Sequence, residues 1–389
     1  MHGNDIGHSL FLIFTGAALL ATLALYARQS LLVAYILLGA LLGPWGTGWV
    51  ADLELVQGIS HIGITFLLFL LGLNLHPQRL FHRIGEAIGV TLGSALLFAM
   101  TGIALALLFG FSGNDVALVG ASAMFSSTII GLKLLPTSVL HHQQGGRLII
   151  RILLLQDLLA IVLLMGIRLV SLGGSMEADI LRLSLSLPVL LIFAWVFQRW
   201  ILIKLLRRFD KIHEYLFLAA LGWCLGMAEL AHWLGLSREI GAFVAGVAVA
   251  TSPISLFIAE SLKPLRDFFL VIFFFTLGAG FDWGALPIVL PAALALTAVL
   301  LLVKPLVFRW LLQKIGEGVP LAKEMGIRLG QGSEFSLLLA YLALELELVG
   351  AMASALIQTA TVLSLIASSY YIVQYLPTPI ATSDKLRRD

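Results

Sequence analysis

Long apolar segments recur along almost the whole chain and are separated by short polar loops. About thirteen of them approach 20 residues, the length that an α-helix needs to cross the hydrocarbon core of a bilayer. They lie at residues 8–27, 31–48, 58–76, 86–109, 115–139, 146–172, 182–207, 213–233, 238–254, 265–281, 286–314, 320–345 and 352–376. Because the loops are short, the pattern predicts one bundle of transmembrane helices, an all-α polytopic membrane protein.

Composition agrees with this class. Hydrophobic residues make up 60% of the 389-residue chain and charged residues 12%, whereas soluble chains carry roughly 25% charged residues. The net charge of +2 is too small to indicate a nucleic-acid partner, so the lipid bilayer is the expected environment. Cys224 is the only cysteine, which excludes an intrachain disulfide.

The distribution of lysine and arginine predicts the orientation in the membrane. With the N-terminus outside, the inward loops and span ends hold Arg28, Arg79, Arg83, Arg147, Arg207, Arg208, Lys211, Lys263, Arg266, Lys314, Lys385, Arg387 and Arg388. The outward side holds Arg182 and Arg238, beside several acids. We therefore expect a multi-pass protein of the cell inner (plasma) membrane, without a cleaved signal peptide and with residues 378–389 as a short cytoplasmic tail.

Two predicted spans are interrupted by small and hydroxylated residues. These residues are Ser126, Ser127 and Thr128 in the fifth span and Gly330, Gln331, Gly332, Ser333 and Glu334 in the twelfth. Such residues allow a helix to unwind and line a cavity with backbone groups. The two spans lie seven apart and so run in opposite directions, as in the inverted repeats of transporters, where paired interruptions mark the binding site. The alternative for each is ordinary close helix packing.

One carboxylate lies near the middle of the sixth span. Asp157 is surrounded by the apolar run from Leu148 to Leu164, where an ionisable group costs about 2.5–3.5 kcal/mol on insertion scales and indicates a proton or ion site. A carboxylate there can bind H⁺ or a metal cation, but not both, which is sufficient for exchange. Gln156 offers a neutral carbonyl ligand for K⁺ or Na⁺. The alternatives are a structural Asp157 and a Gln156 that bonds only a neighbouring helix.

Two further charges lie at membrane depth. Lys304 is in the middle of the eleventh span, next to Pro305, and we expect it to compensate charge, either at Asp157 or at a carbonyl end of a broken helix. A purely structural ion pair is the alternative. Glu334 follows the second interruption, where it either lines the cavity or stabilises the N-terminus of a half-helix through the helix dipole.

These motifs together resemble a known family, the Kef-type potassium/proton antiporters of the second family of monovalent cation:proton antiporters. The resemblance covers nearly the whole chain. The matching segments are Leu38–Gly46, Leu70–Pro77, Ser126–Thr128, Leu155–Asp157, Gly241–Gly246, Phe273–Gly278 and Gly330–Phe335. Their common order makes the resemblance specific, whereas each alone is a weak signal.

The resemblance implies a fold, an assembly and a site. Residues 1–377 would form an exchanger domain with core helices at about 86–172 and 286–376, the remainder serving as dimerisation scaffold. The fifth and twelfth spans would cross as broken helices, and the core would move like an elevator within a homodimer. Asp157 would be the ion-binding acid, and Lys304 would match the lysine that the family has in the eleventh span. The Gln156–Asp157 pair is similar to that of electroneutral K⁺ exchangers, whereas two adjacent acids are typical of electrogenic Na⁺ exchangers.

The chain also departs from the family pattern. Kef proteins commonly carry a cytoplasmic nucleotide-binding regulatory domain after the last span, and the sequence stops at Asp389. Glutathione and nucleotide gating are therefore not assigned to this sequence. The alternatives are a part of a longer protein, with a cytoplasmic regulatory domain or subunit outside this sequence, and a standalone antiporter. Asn74 and His76 stand where relatives usually have acids, so no role is carried over to that end.

The sequence predicts a secondary transporter, not an enzyme, with no cofactor beyond the transported ions. The first hypothesis is electroneutral K⁺/H⁺ exchange at Asp157, with Na⁺/H⁺ exchange as the alternative. A gated K⁺ channel and an organic-anion symporter are competing classes. The symporter is disfavoured because no arginine anchor is evident in the bundle, and an intramembrane enzyme because no nucleophile–base pair or phosphate-binding loop is evident.

Overall fold

The computed structural model of the chain describes residues 6–27, 29–50, 54–74, 84–128, 144–171, 176–209, 212–252 and 254–376. Every regular element in these residues is helical, which confirms the predicted all-α fold. The predicted tail at residues 378–389, the part of the fifth span after Thr128, and His76 lie outside the described residues.

The helices follow the predicted apolar segments closely. They are α1 (Ile6–Tyr26), α2 (Leu31–Leu42), α3 (Glu54–Asn74), α4 (Ile84–Leu108), α5 (Asn114–Ala123), α6 (Gln144–Ser171), α7 (Met176–Phe197), α8 (Ile203–Arg208), α9 (His213–Trp233), α10 (Arg238–Ala250), α11 (Ile254–Ser261), α12 (Lys263–Ala279), α13 (Leu286–Lys314), α14 (Val319–Arg328), α15 (Glu334–Glu345) and α16 (Ala351–Tyr375). A π-helical turn, Gln198–Leu202, joins α7 to α8. Within the described residues, 7 helices are long and apolar enough to cross a membrane, so the count of about thirteen spans stays a prediction, as does the orientation of the termini.

Both interrupted spans unwind where the sequence predicts. Residues 124–127, which we call the first break, follow α5, and residues 329–333, the second break, separate α14 from α15. Helix α2 is shorter than its predicted span because Gly43, which precedes Pro44, adopts an extended backbone with φ −70° and ψ 178°. The residue before a proline is disfavoured in the helical region, so the helix ends at Leu42.

Contacts divide the chain into two units. Unit 1 comprises Met1–Phe14, Trp49–His82 and Arg168–Thr276, and unit 2 comprises Thr15–Gly48, Arg83–Ile167 and Leu277–Asp389. Both breaks lie in unit 2. The predicted division into core and dimerisation scaffold stays a prediction.

Small residues bring the helices of unit 1 close together. A Cβ on Gly72 of α3 would lie 2.5 Å from the carbonyl oxygen of Phe243 on α10, and a Cβ on Gly241 would lie 2.7 Å from the Cβ of Ala231 on α9. The indole N–H of Trp223 on α9 donates to the carbonyl of Ala245, 3.0 Å away. The segment Gly241–Gly246 is therefore a packing surface in unit 1.

Unit 2 surrounds the breaks with α4, α13 and α16. Helix α5 packs on α4, where a Cβ on Gly102 would lie 3.0 Å from the Cα of Gly120. Helix α13 packs on α14 through Pro305, because a Cβ on Gly326 would lie 2.5 Å from the Pro305 carbonyl and a Cβ on Gly330 would lie 2.8 Å from its Cγ. The glycines Gly326 and Gly330 thus allow α14 and the second break to pack directly against α13.

Candidate ion-binding site

Asp157 is buried in α6 beside the first break. Only 1% of the residue is exposed, and the hydroxyl of Thr128, which directly follows the first break, lies 3.0 Å from Oδ1 and 3.2 Å from Oδ2. No lysine, arginine or histidine forms an ion pair with Asp157 in the described part of the chain. A carboxylate in this setting needs a proton or a cation to offset its burial.

Gln156 joins α6 to the backbone of the first break. Its Oε1 accepts from the amide N–H of Ser126 at 3.2 Å, and its Nε2 donates to the carbonyl of Met124 at 3.3 Å. Unwinding leaves backbone groups without helical partners, and the Gln156 amide satisfies one donor and one acceptor. Its predicted role as a ligand for K⁺ or Na⁺ stays a prediction.

Lys304 connects both breaks. The residue is fully buried, and its Nζ donates to the carbonyl of Phe125 at 2.6 Å and to that of Gln331 at 3.2 Å. These carbonyls follow the C-terminal ends of α5 and α14, where helix dipoles favour a cation. The expected partners of Lys304 were Asp157 and the carbonyl end of a broken helix. In the structure its ammonium bonds the carbonyls and forms no salt bridge with Asp157. The ring of Phe98, whose centroid is 5.0 Å from Nζ, covers the ammonium.

The two breaks also bond to each other. The hydroxyl of Ser126 donates to the carbonyl of Leu329 at 2.7 Å, and the hydroxyl of Ser336 on α15 donates to the carbonyl of Ser122 on α5 at 2.6 Å. The predicted meeting of the interrupted spans is therefore confirmed. Ser127, the next residue after Ser126, is fully buried. Its role in binding stays a prediction.

The second break ends at the N-terminus of α15. Ser333 caps this helix, because its hydroxyl accepts from the N–H of Phe335 at 3.1 Å. Glu334 is the first residue of α15, so it lies at the N-terminus of a half-helix, one of its two expected placements. Its predicted role in lining the cavity stays a prediction.

Sequence reasoning missed several residues around the second break. On α16, Ser364 accepts from the N–H of Gly332 at 2.9 Å and Ser368 donates to Oε1 of Gln331 at 3.1 Å. Their signal is the spacing of four residues, which places both hydroxyls on one face of α16. The guanidinium of Arg328, 1% exposed, donates to Glu324 at 2.8 and 2.9 Å, a pair that the i, i+4 spacing of Glu and Arg indicates.

The oxygens available at the site include the Asp157 carboxylate and the Thr128 hydroxyl. Carboxylate, hydroxyl and carbonyl oxygens suit hard cations. No group of three or more His, Cys, Asp or Glu residues that would hold a metal ion occurs among the described residues. The arrangement fits one proton or one monovalent cation at a time.

Comparisons with known proteins agree with the helical fold. The family model described as "Sodium/hydrogen exchanger, transmembrane" matches residues 11–376. The fold is similar to that of the sodium proton antiporter MjNhaP1 from Methanocaldococcus jannaschii, with a TM-score of 0.71 at 18% identity over 93% of this chain and 95% of the other.

Two curated relatives extend the comparison. The iron transporter MagA of Paramagnetospirillum magneticum is 29% identical over 346 residues, which is 89% of this chain and 80% of MagA. The glutathione-regulated potassium-efflux system protein KefC of Klebsiella pneumoniae is 31% identical over 335 residues, which is 84% of this chain and 53% of KefC. The chain thus spans about half the length of KefC.

Proposed function

This chain belongs to the sodium/hydrogen exchanger family of transmembrane cation/proton antiporters, and on that basis we propose that it exchanges K⁺ for H⁺ with Asp157 as the shared site. The observation that carries the proposal is the buried Asp157 carboxylate, which has a hydroxyl partner but, among the described residues, no cationic side chain paired with it. Its counter-charge would come from the transported ion. The chain is a transporter and not an enzyme.

Competition at one carboxylate explains obligatory exchange. A proton on Asp157 removes the charge that attracts a cation, and a bound cation stabilises the ionised form and expels the proton. Because Gln156 is neutral, either ion leaves the site with the same net charge. One H⁺ would then cross for each K⁺, and the cycle would be electroneutral.

Alternating access would move the breaks together with Asp157. Gln156 binds the first break to α6, and Lys304 binds the first break to the second. These bonds would keep the site assembled while the core helices move like an elevator in the membrane. A homodimer would supply the fixed scaffold for that motion.

Potassium is the proposed cation because KefC, a relative over 84% of this chain, is named as a potassium-efflux protein. Sodium is the second candidate, since the structural relative is a sodium proton antiporter. MagA is named as an iron transporter, but a single carboxylate without histidine or cysteine ligands among the described residues suits a monovalent ion better. Any regulatory domain or subunit of the KefC kind would bind from the cytoplasm.

Exchange is tested in proteoliposomes that contain a pH-sensitive dye. Adding K⁺ outside should drive H⁺ movement, and Asp157→Asn should abolish it because an amide binds neither ion well. The control Asp267→Asn alters an exposed acid paired with Arg266 and should leave exchange intact.

Full activity of Asp157→Asn would overturn the assignment of the site. Exchange with Na⁺ alone would replace potassium by sodium, and unitary currents in planar bilayers would indicate a channel instead.

A further inference from the structure

Helix α16 holds the second break through two serines that face it. The hydroxyl of Ser364 accepts from the N–H of Gly332 at 2.9 Å and donates to the carbonyl of Thr361 at 2.8 Å. Ser368, one turn further on, donates to the side-chain oxygen of Gln331 at 3.1 Å. Ser364, Ser368, Thr361 and Gln331 are each less than 5% exposed. The second break is thus fixed by side chains of another helix as well as by its own caps.

Gln331 is the residue through which this restraint reaches the site. Its Nε2 donates to the carbonyl of Arg328 at the end of α14, 2.9 Å away, and its Oε1 is bound by Ser368. Its backbone carbonyl accepts from the ammonium of Lys304. Hydrogen bonds thus hold both the nitrogen and the oxygen of the Gln331 side-chain amide. They restrain the residue and with it the backbone carbonyl that binds Lys304.

A side chain at Gly332 would crowd the contact between α16 and the second break. A Cβ on Gly332 would lie 3.1 Å from the hydroxyl of Ser364 and 3.1 Å from Cγ2 of Thr361. The backbone of the break therefore rests directly on this face of α16. A shift of Ser364 would be transmitted directly to the backbone of the break, whereas a shift of Ser368 would act through the side chain of Gln331.

We propose that Ser364 and Ser368 are positioning residues for cation binding, because they keep Lys304 on the two break carbonyls and away from Asp157. This inference rests on the proposed function. Lys304 is itself a cation, and its ammonium would compete with K⁺ for the carboxylate if it turned toward Asp157. The Gln331 carbonyl is one of only two hydrogen-bond acceptors that hold it among the described residues. Releasing that carbonyl should therefore weaken the binding of the transported cation.

The test compares K⁺-driven H⁺ movement in proteoliposomes for Ser368→Ala and wild type. We expect the KM for K⁺ to rise roughly three- to tenfold, the effect of one lost buried hydrogen bond, while the maximal rate per folded protein stays the same. A merely structural role would lower the amount of active protein and leave KM unchanged. Ser368→Thr, which keeps the hydroxyl, should restore the KM of the wild type.

The matched control is Ser369→Ala. This neighbouring serine is 3% exposed, and among the described residues its hydroxyl bonds only the carbonyl of Leu365 in its own helix, 2.7 Å away. It should keep the KM of the wild type.

Ser364→Ala should raise the KM as Ser368→Ala does, and it provides the test if Ser368→Ala does not fold. An unchanged KM in the folded alanine variants, or an equal rise in Ser369→Ala, would overturn the inference. Absence of exchange in the wild type with both K⁺ and Na⁺ would instead contradict the proposed function.

Discussion

At the scale of single residues, the site separates its two opposite charges. Asp157 bonds a hydroxyl, and Lys304 bonds two backbone carbonyls. A direct ion pair would neutralise the carboxylate and leave little affinity for a transported cation. Keeping the lysine on the helix ends leaves the charge of Asp157 available for exchange.

Replacing Lys304 should therefore damage the fold of the breaks. Lys304→Met leaves the carbonyls of Phe125 and Gln331 buried without their donor, which should cost about 1–3 kcal/mol and lower the melting temperature in detergent. The control Lys314→Met lies at the end of the same helix, where the ammonium covers Trp310 at 3.9 Å. An equal melting temperature for Lys304→Met and Lys314→Met would contradict the structural role of Lys304.

Gln156 should matter to both stability and exchange. Gln156→Leu leaves the N–H of Ser126 and the carbonyl of Met124 without partners, at about 1–3 kcal/mol for each group. We expect a lower melting temperature and slower exchange. The comparison variant is Gln358→Leu, since in the described part of the chain Gln358 donates only to the hydroxyl of Ser354 in its own helix. If both leucine variants behaved alike, the Gln156 amide would not be holding the first break.

At the scale of elements, the site depends on two helices, α5 and α14, that each end at a break. The C-terminal ends of α5 and α14 present carbonyls to one lysine, and the N-terminus of α15 presents Ser333 and Glu334. Each broken end thus has a specific chemical partner. The contact of the second break with α13 is made possible by glycine facing Pro305.

A side chain at this contact should disturb the break. In Gly330→Ala the new Cβ would lie 2.8 Å from Cγ of Pro305, so the backbone must shift, and such overpacking costs typically about 1–3 kcal/mol. We expect slower exchange and a lower melting temperature. Gly318→Ala is the matched control, because the nearest atom to its Cβ, the Cδ of Pro320, is 4.0 Å away. Wild-type behaviour of Gly330→Ala would show that the break tolerates movement at α13.

The positions of the helices were predictable from the sequence because span length and apolar composition are local properties. The predicted span at residues 286–314 has the same bounds as α13, and the Gly–Gln–Gly–Ser run marked the second break. The sequence did not decide whether Lys304 would bond Asp157 or the carbonyl end of a broken helix, because the choice depends on which groups the fold brings near the ammonium. Ser364 and Ser368 were missed because a serine in an apolar helix usually bonds its own backbone, as Ser369 does.

At the scale of the whole molecule, the neutral Gln156 should set the electrical behaviour of transport. If one K⁺ replaces one H⁺ at Asp157, no net charge moves in a cycle. Exchange rates in proteoliposomes should then be independent of an imposed membrane potential, which can be set by an ionophore for an ion that the protein does not carry. Gln156→Asp would add a second acid, and its exchange should become sensitive to the potential. A potential-dependent wild type would contradict one-for-one exchange.

The most direct measurement of the central claim is proton release on cation binding. Purified protein in weakly buffered detergent solution is titrated with KCl, and the pH change is recorded. Because binding linkage is reciprocal, competition at Asp157 predicts release of about one proton per bound K⁺, and no release from Asp157→Asn. Binding of K⁺ without proton release by the wild type, or equal release by Asp157→Asn, would contradict a shared site at Asp157.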